Sequence, residues 1–108
     1  MKKINNKTIT LEIEQMTQEG LVIVPIQTTY FELIFGCCKR AEEGGYSWDM
    51  IEKIGRVKVL ADKAKEIPNT DIDIEDADFE FIKERVMSNK SWVTFDLGLL
   101  EFKKYLEA

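Results

Sequence analysis

The chain has 108 residues, 44% of them hydrophobic, with two cysteines, no histidine and a formal net charge of −5. This length predicts a single domain spanning residues 1–108, and the apolar content excludes a disordered chain because it can supply a core. The two adjacent cysteines exclude a disulfide scaffold, and the lack of histidine removes the commonest catalytic base and transition-metal ligand.

The chain starts with basic residues, Met1-Lys2-Lys3, but no apolar stretch follows them as it would in a signal peptide. The longest apolar run covers residues 21–26, far short of the roughly 20 residues that a membrane-spanning helix needs. We therefore expect no membrane contact and an intracellular, reducing compartment, in which the thiols of Cys37 and Cys38 stay free.

The N-terminal third predicts an antiparallel β-hairpin. Residues 7–14 alternate between apolar and polar side chains, and residues 21–26 are rich in β-branched side chains. The polar segment 15–20 ends in glycine, which predicts a loop of six residues between the two strands. Pro25 is expected to lie at a sheet edge or to end the second strand.

Two helices are expected next. Thr29 and Glu32 have the spacing of a capping box, which predicts a helix that starts after Thr29 and ends at Gly44–Gly45. Ser47 is a suitable N-cap for a second helix over Trp48–Glu66. Gly55 inside that helix predicts close packing against another element.

The remaining elements are shorter. Residues 71–75 alternate, which predicts a third short strand near 72–75 that joins the hairpin. A third helix is expected at about 77–88 with Asp76 as its N-cap, and a fourth at about 96–106. Trp92 and Val93 between them are expected to form a buried anchor. Strands that precede about four helices indicate the α+β class.

An acidic segment at residues 66–84 is the most conspicuous local feature. It contains eight acidic residues and a single lysine. The spacing does not match an EF-hand from any starting residue, so we expect no metal site; acids on a strand face and at a helix start are the simpler explanation. The candidate acidic residues are Asp71, Asp73, Glu75, Asp76, Asp78 and Glu80.

Two further patterns are candidates for a chemical role. Cys37 and Cys38 are not spaced as a CxxC site and lie on the apolar stripe of the first helix, which indicates buried packing. The second helix carries basic residues that would suit a nucleic-acid contact, but acids are interleaved and predict i,i+4 pairs such as Asp49→Lys53 and Glu52→Arg56. These basic residues are Lys53, Arg56, Lys58, Lys63 and Lys65.

The C-terminal half resembles small bacteriophage and prophage proteins whose biochemical function is not known. The resemblance covers residues 47–106 and is carried by four segments: 56–64, 72–83, Trp92-Val93 and 99–102. Those proteins have Trp-Pro where this chain has Trp92-Val93. The resemblance implies a phage-borne or prophage-borne origin and a cytoplasmic location in the host cell or an association with the virion, and it carries over no catalytic residue.

The sequence contains no phosphate-binding loop, nucleophile elbow or zinc signature. We therefore expect a non-enzymatic phage accessory or assembly protein, without cofactor, that contacts a phage or host protein. A homodimer formed through a free hairpin edge is one form of that contact. The candidate interaction surface is any exposed part of four aromatic residues, for which the alternative is burial in the core: Phe31, Phe35, Trp48 and Trp92.

The alternative is a regulator that contacts nucleic acid through the helix at 48–66, or that mimics DNA through the acidic segment 66–84. Steep salt dependence would accompany either mode. An enzyme would need a deep pocket holding two carboxylates with raised pKa values, and nothing in the sequence singles out such a pair.

Overall fold

A computed structural model of the chain describes residues 2–40, 44–90, 92 and 96–107. These residues form helices and antiparallel strands, which confirms the α+β class. In chain order the elements are β1 (Lys2–Asn5), β2 (Thr8–Thr17), β3 (Gly20–Thr29), α1 (Tyr30–Cys38), α2 (Trp48–Glu66), β4 (Asp71–Ile74), α3 (Asp76–Met87) and α4 (Leu97–Glu107).

The strands form two separate antiparallel pairs. β2 pairs with β3, whereas β4 pairs with β1, so the prediction that the third strand joins the hairpin is wrong. In the β1–β4 pair Ile4 lies opposite Ile72, and these side chains are buried together with Ile74. Burial of this shared apolar face explains why β4 pairs with the chain's N-terminus and not with the hairpin.

The hairpin is longer than the sequence suggested. Its strands have ten residues each, and only Gln18 and Glu19 separate them, so the predicted six-residue loop is wrong. The tight turn depends on Gly20, whose φ of +116° is a conformation that other residues rarely adopt. β3 continues through Pro25, which lies on an edge strand of this two-stranded sheet, so the first of the two predicted alternatives is confirmed.

Thr29 and Ser47 are confirmed as the N-caps of α1 and α2, but the Glu32 carboxylate accepts from the Thr28 hydroxyl and does not complete the predicted capping box. The Oγ1 of Thr29 accepts a hydrogen bond from the backbone N–H of Glu32 at 3.3 Å, and α1 begins at Tyr30, the residue after Thr29. α1 ends at Cys38, before the predicted Gly44–Gly45. The Oγ of Ser47 accepts from the backbone N–H of Met50 at 3.2 Å, and α2 has the predicted bounds.

Three smaller predictions are wrong or partly wrong. Gly55 has open space where a Cβ would point, so it makes no close approach to another element. Asp76 is the first residue of α3 and not its N-cap, a position that Glu75 holds. Trp92 is 38% exposed, so it is not the fully buried anchor that was expected, and Val93 lies outside the described residues.

The core lies between the β1–β4 pair and the four helices. Phe31 and Ile34 of α1 are buried in it with Val57 of α2, Ile82 of α3 and Phe102 of α4. The rings of Tyr30 and Phe102 lie 4.8 Å apart between centroids and join α1 to α4. Every helix therefore contributes an apolar face to one cluster.

Buried Asn6 holds three of these elements together. Its Nδ2 donates to the carbonyl of Ala64 at 2.8 Å, and its Oδ1 accepts from the backbone N–H of Phe31 at 3.2 Å. Its own backbone N–H donates to the carbonyl of Thr70. Each polar group of the side chain is thus bonded, as a buried amide requires.

The molecule has two unequal parts, which we call the body and the arm. The body consists of β1, β4 and the four helices, and the arm is the hairpin over residues 8–29. The described chain has a radius of gyration of 14.8 Å, against about 13 Å expected for a compact domain of this length. The projecting arm accounts for this elongation, because Leu11 is the only buried residue in it.

Candidate interaction surface

The base of the arm is fixed to α4 by two contacts. The Asp96 carboxylate accepts hydrogen bonds from the backbone N–H of Glu12 at 3.0 Å and of Gly98 at 2.7 Å. A Cβ on Gly98 would lie 3.2 Å from the Leu11 side chain, so glycine allows β2 to approach the helix closely. The two backbone donors, Glu12 first, lower the pKa of Asp96 below its usual value because they stabilise the charged form.

Beyond this base, the arm carries apolar side chains into solvent. Met16 is 75% exposed, Leu21 58% and Ile23 65%, and all three lie on the same face of the hairpin. Val22 and Ile26 on the opposite face are also exposed. A strand with apolar residues on both faces is usually covered on both, so these residues mark a surface suited to a partner.

The inner face of the arm also borders a groove of about 370 Å³ against α1 and α4. Ile13 and Ile26 line it on the arm side, and Leu33, Trp92 and Leu99 line it on the body side. The groove is therefore apolar and continuous with the exposed apolar residues of the arm. Trp92 and the arm therefore line the same groove.

The structure separates the four predicted surface aromatics. Phe31 is 1% exposed and belongs to the core, so its assignment to an interaction surface is wrong. Phe35 is half-buried, with the ammonium groups of Lys39 and Lys58 at 5.3 and 5.5 Å from its ring centroid. Trp48 is 81% exposed at the start of α2. Phe35 and Trp92 line different grooves, so the aromatics do not form the single surface predicted from sequence.

Four of the six candidate residues of the acidic segment make intramolecular contacts. Asp71 accepts from the Asn5 side chain at 2.8 Å, Asp73 lies 3.9 Å from the Lys3 ammonium, and Asp76 also makes a contact. Asp78 is buried and accepts from Arg56 Nε at 2.8 Å. Among the described residues no group of three or more acids or cysteines is placed to hold a metal ion.

Three of the five candidate basic residues of α2 lie in ion pairs. Lys53 lies 3.1 Å from Asp49, as predicted, and Lys58 lies 2.6 Å from Asp62. Arg56 pairs with Asp78 of α3, which replaces the predicted pair with Glu52. Phosphate binding through this helix would compete with those carboxylates.

Cys37 and Cys38 are free and buried, as the apolar stripe predicted. Burial raises the pKa of Cys37 to about 11, although a 3.6 Å hydrogen bond from the Asn89 amide opposes the shift. Burial and the neighbouring Cys37 raise the pKa of Cys38 to about 12. Such thiols stay protonated near neutral pH and are poor nucleophiles.

The sequence pointed to the hairpin edge as a possible dimer contact, but the exposed apolar side chains on the faces of the arm were missed. The signal was present, because Leu21-Val22-Ile23-Val24 is apolar at every position and so places apolar side chains on both faces of one strand. In a two-stranded hairpin only one face can pack on the body. The apolar residues of the other face must then stay exposed.

Comparisons with protein-family models, with curated proteins and with solved structures found no match to this chain. In the described part of the chain, no helix is long and apolar enough to cross a membrane.

Proposed function

We propose that this chain is a non-enzymatic interaction protein of the phage or prophage accessory or assembly type, which works by contacting a phage or host protein. The observation that carries the proposal is the arm, where Met16, Leu21 and Ile23 are exposed together on one face. Monomeric soluble proteins seldom keep a large apolar patch in water unless another molecule covers it. The phage origin rests on the resemblance of residues 47–106.

The same proposal makes the body a scaffold that holds the arm. Asp96 and Leu11 fix the base of the hairpin to α4, while the residues beyond it project. A contact site presented on a braced element loses less conformational freedom on binding than one on a loose loop. Trp92 beside the groove adds an aromatic side chain of the type that often anchors an interface.

The test compares capture of host proteins by matched surface variants. A tagged wild-type chain and the double variant Leu21→Thr/Ile23→Thr are each incubated with extract from infected or lysogenic bacteria, and bound material is identified by mass spectrometry. Threonine keeps the β propensity of the strand but removes most of its apolar surface. Val59→Thr on α2 is the matched control, because Val59 is equally exposed but far from the arm in sequence.

We expect the wild type and Val59→Thr to enrich the same proteins and the double variant to lose them. Equal capture by all three chains would contradict a role for the arm. Enrichment of nucleic acid in place of protein, with a steep dependence on salt, would favour the regulator that contacts nucleic acid.

A further inference from the structure

We propose that a second copy of this chain pairs with the outer edge of β3, forming a two-fold symmetric, four-stranded sheet centred on Val22. This inference rests on the proposed function, because it names one partner of the same arm. It follows from the direction of the backbone groups, the position of Pro25, the distribution of charge and the placement of the two bodies.

The direction of the backbone groups along β3 follows from the contact at Asp96. The N–H of Glu12 donates to Asp96, so it points away from β3. In an antiparallel pair, opposite residues point their backbone groups either both toward or both away from the partner strand, alternating along it. Since Glu12 lies opposite Pro25, the outward positions of β3 are Leu21, Ile23, Pro25 and Gln27.

Pro25 limits how a second strand can pair with this edge. It has no N–H and therefore leaves a gap in the outward row of donors. A two-fold axis at Val22 places Leu21 of each copy opposite Ile23 of the other. These residues exchange four backbone hydrogen bonds across the axis, while Pro25 lies opposite the turn and outside the paired segment.

The charge of the two hairpin edges favours β3 for contact with an identical chain. A two-fold axis brings each residue close to its own copy, so like charges near the axis repel. Residues 20–24 of β3 carry no charge. The β2 edge carries Glu12 and Glu14, and Asp96 already occupies the outward N–H of Glu12.

The antiparallel arrangement also leaves room for both bodies. Seven residues separate Val22 from Thr29, where the arm enters the body, which corresponds to about 24 Å of extended chain. The second copy runs in the opposite direction, so its body lies at the other end of the sheet. One face of this sheet would then bring Leu21, Ile23 and Met16 of both copies together.

The first measurement is the mass of the wild-type chain over a range of concentrations, by sedimentation equilibrium. We expect a monomer of 12.5 kDa at low concentration and a dimer of twice that mass at high concentration. Ile23→Lys places two ammonium groups near the axis on a side chain that is exposed in the monomer, so it should leave a folded monomer. Val59→Lys on α2 is the matched control and should dimerise as the wild type does.

The second measurement tests the register by disulfide trapping. Val22 would face its own copy as a non-hydrogen-bonded pair, with Cα atoms about 4.5 Å apart, within disulfide range. Val22→Cys should therefore give a covalent dimer under mild oxidation. Gln15→Cys is the matched control: Gln15 lies opposite Val22 on β2, and three strand spacings put the two copies about 14 Å apart. The wild type reports any background from Cys37 and Cys38.

A wild type that stays monomeric at every concentration would overturn the inference. So would a dimer that Ile23→Lys leaves intact, or one in which Gln15→Cys crosslinks as well as Val22→Cys. If any of these results accompanied loss of protein capture by Leu21→Thr/Ile23→Thr, pairing of a second copy with the β3 edge would be excluded and the proposed function would stand. A dimer with the expected variant pattern, combined with protein capture that does not depend on the arm, would support the β3 pairing and contradict the proposed capture of other proteins by the arm.

Discussion

The body and the arm use similar apolar residues in opposite ways. In β4 the two isoleucines alternate with acids, and both are buried against the helices. In β3 the residues from Leu21 to Val24 are apolar without interruption, and the first three are exposed. The difference shows that the period of the pattern, and what lies against each face, decide whether an apolar residue becomes core or surface.

The two regions also differ in how their polar groups are satisfied. The body buries Asn6, Asp78 and Arg85, and each of them is tied to another element by hydrogen bonds. The arm depends on the ladder between its own two strands and on the anchor at Asp96. A two-stranded hairpin is marginally stable alone, so the arm should open more easily than the body.

The largest expected effect is the loss of a core aromatic in the body. Phe31→Ala should lower the free energy of unfolding by about 3–5 kcal/mol, because it removes a ring that is almost fully buried between the helices. Urea unfolding followed by circular dichroism measures this change. The result also tests whether Phe31 belongs to the core and not to an interaction surface.

The matching change in the arm is Ile23→Ala. Since Ile23 is mostly exposed, this substitution should change the free energy of unfolding by no more than about 0.5 kcal/mol. Equal losses for the two variants would mean that the arm is as integral to the fold as the body.

The local signals in the sequence were enough to predict most of the body. Thr29 and Ser47 have capping oxygens that act within three residues, so the starts of α1 and α2 could be predicted from neighbouring positions. β1 was missed because it is four residues long with one buried side chain, Ile4. Its partner β4 lies about 70 residues away in sequence, and no local pattern reports such a pairing.

The candidate surface was harder to predict for a related reason. The sequence favoured aromatic residues, but exposure depends on which neighbouring elements cover each ring. Phe31 and Phe35 are four residues apart on α1, yet Phe31 faces the core and Phe35 lies under lysine side chains. The exposed arm follows from the separation of the two sheets, which depends on the β1–β4 pairing.

The next effect concerns the buried amide of the body. Asn6→Ala should lower the free energy of unfolding by about 2–4 kcal/mol, because it leaves the Ala64 carbonyl and the Phe31 N–H buried without their partner. Thermal and urea unfolding measure the loss. Asn5→Ala is the control: its side chain bonds to Asp71 at the surface, and water can replace that bond. A loss as large in Asn5→Ala would contradict the role assigned to burial.

The body should also lose stability at alkaline pH. The pKa values of Cys37 and Cys38 are raised by burial to about 11 and about 12, above the value of about 8.5 for an unfolded thiol. Between those values the unfolded chain releases protons that the folded chain retains. Stability is therefore complete below about pH 8.5 and falls as pH rises, by up to about 1.4 kcal/mol per pH unit for each thiol.

Urea unfolding between pH 7 and 11 measures this slope. Cys37→Ala/Cys38→Ala should flatten it while lowering the stability at neutral pH through the cavities that the substitutions leave. The slope that remains in the double variant is expected from Tyr30, whose pKa burial also raises. An unchanged slope would mean that the thiols ionise in the folded chain as readily as in the unfolded chain.

The smallest expected effect is local and concerns the anchor between the regions. Asp96→Ala removes the acceptor for Glu12 and for the start of α4, so amide hydrogen exchange should speed up along the arm and at Gly98, while the β1–β4 pair stays protected. Asp62→Ala, which removes an exposed pair with Lys58 on α2, should leave hydrogen exchange in the arm unchanged.

The wild type should show the same faster exchange at acid pH. Because the pKa of Asp96 is lowered in the folded chain, its anchor is fully present above the usual aspartate pKa and is lost as pH falls through the lowered pKa. Faster exchange throughout the body of Asp96→Ala would show that arm and body open as one unit. That result would contradict an arm that is braced by the body but opens separately from it.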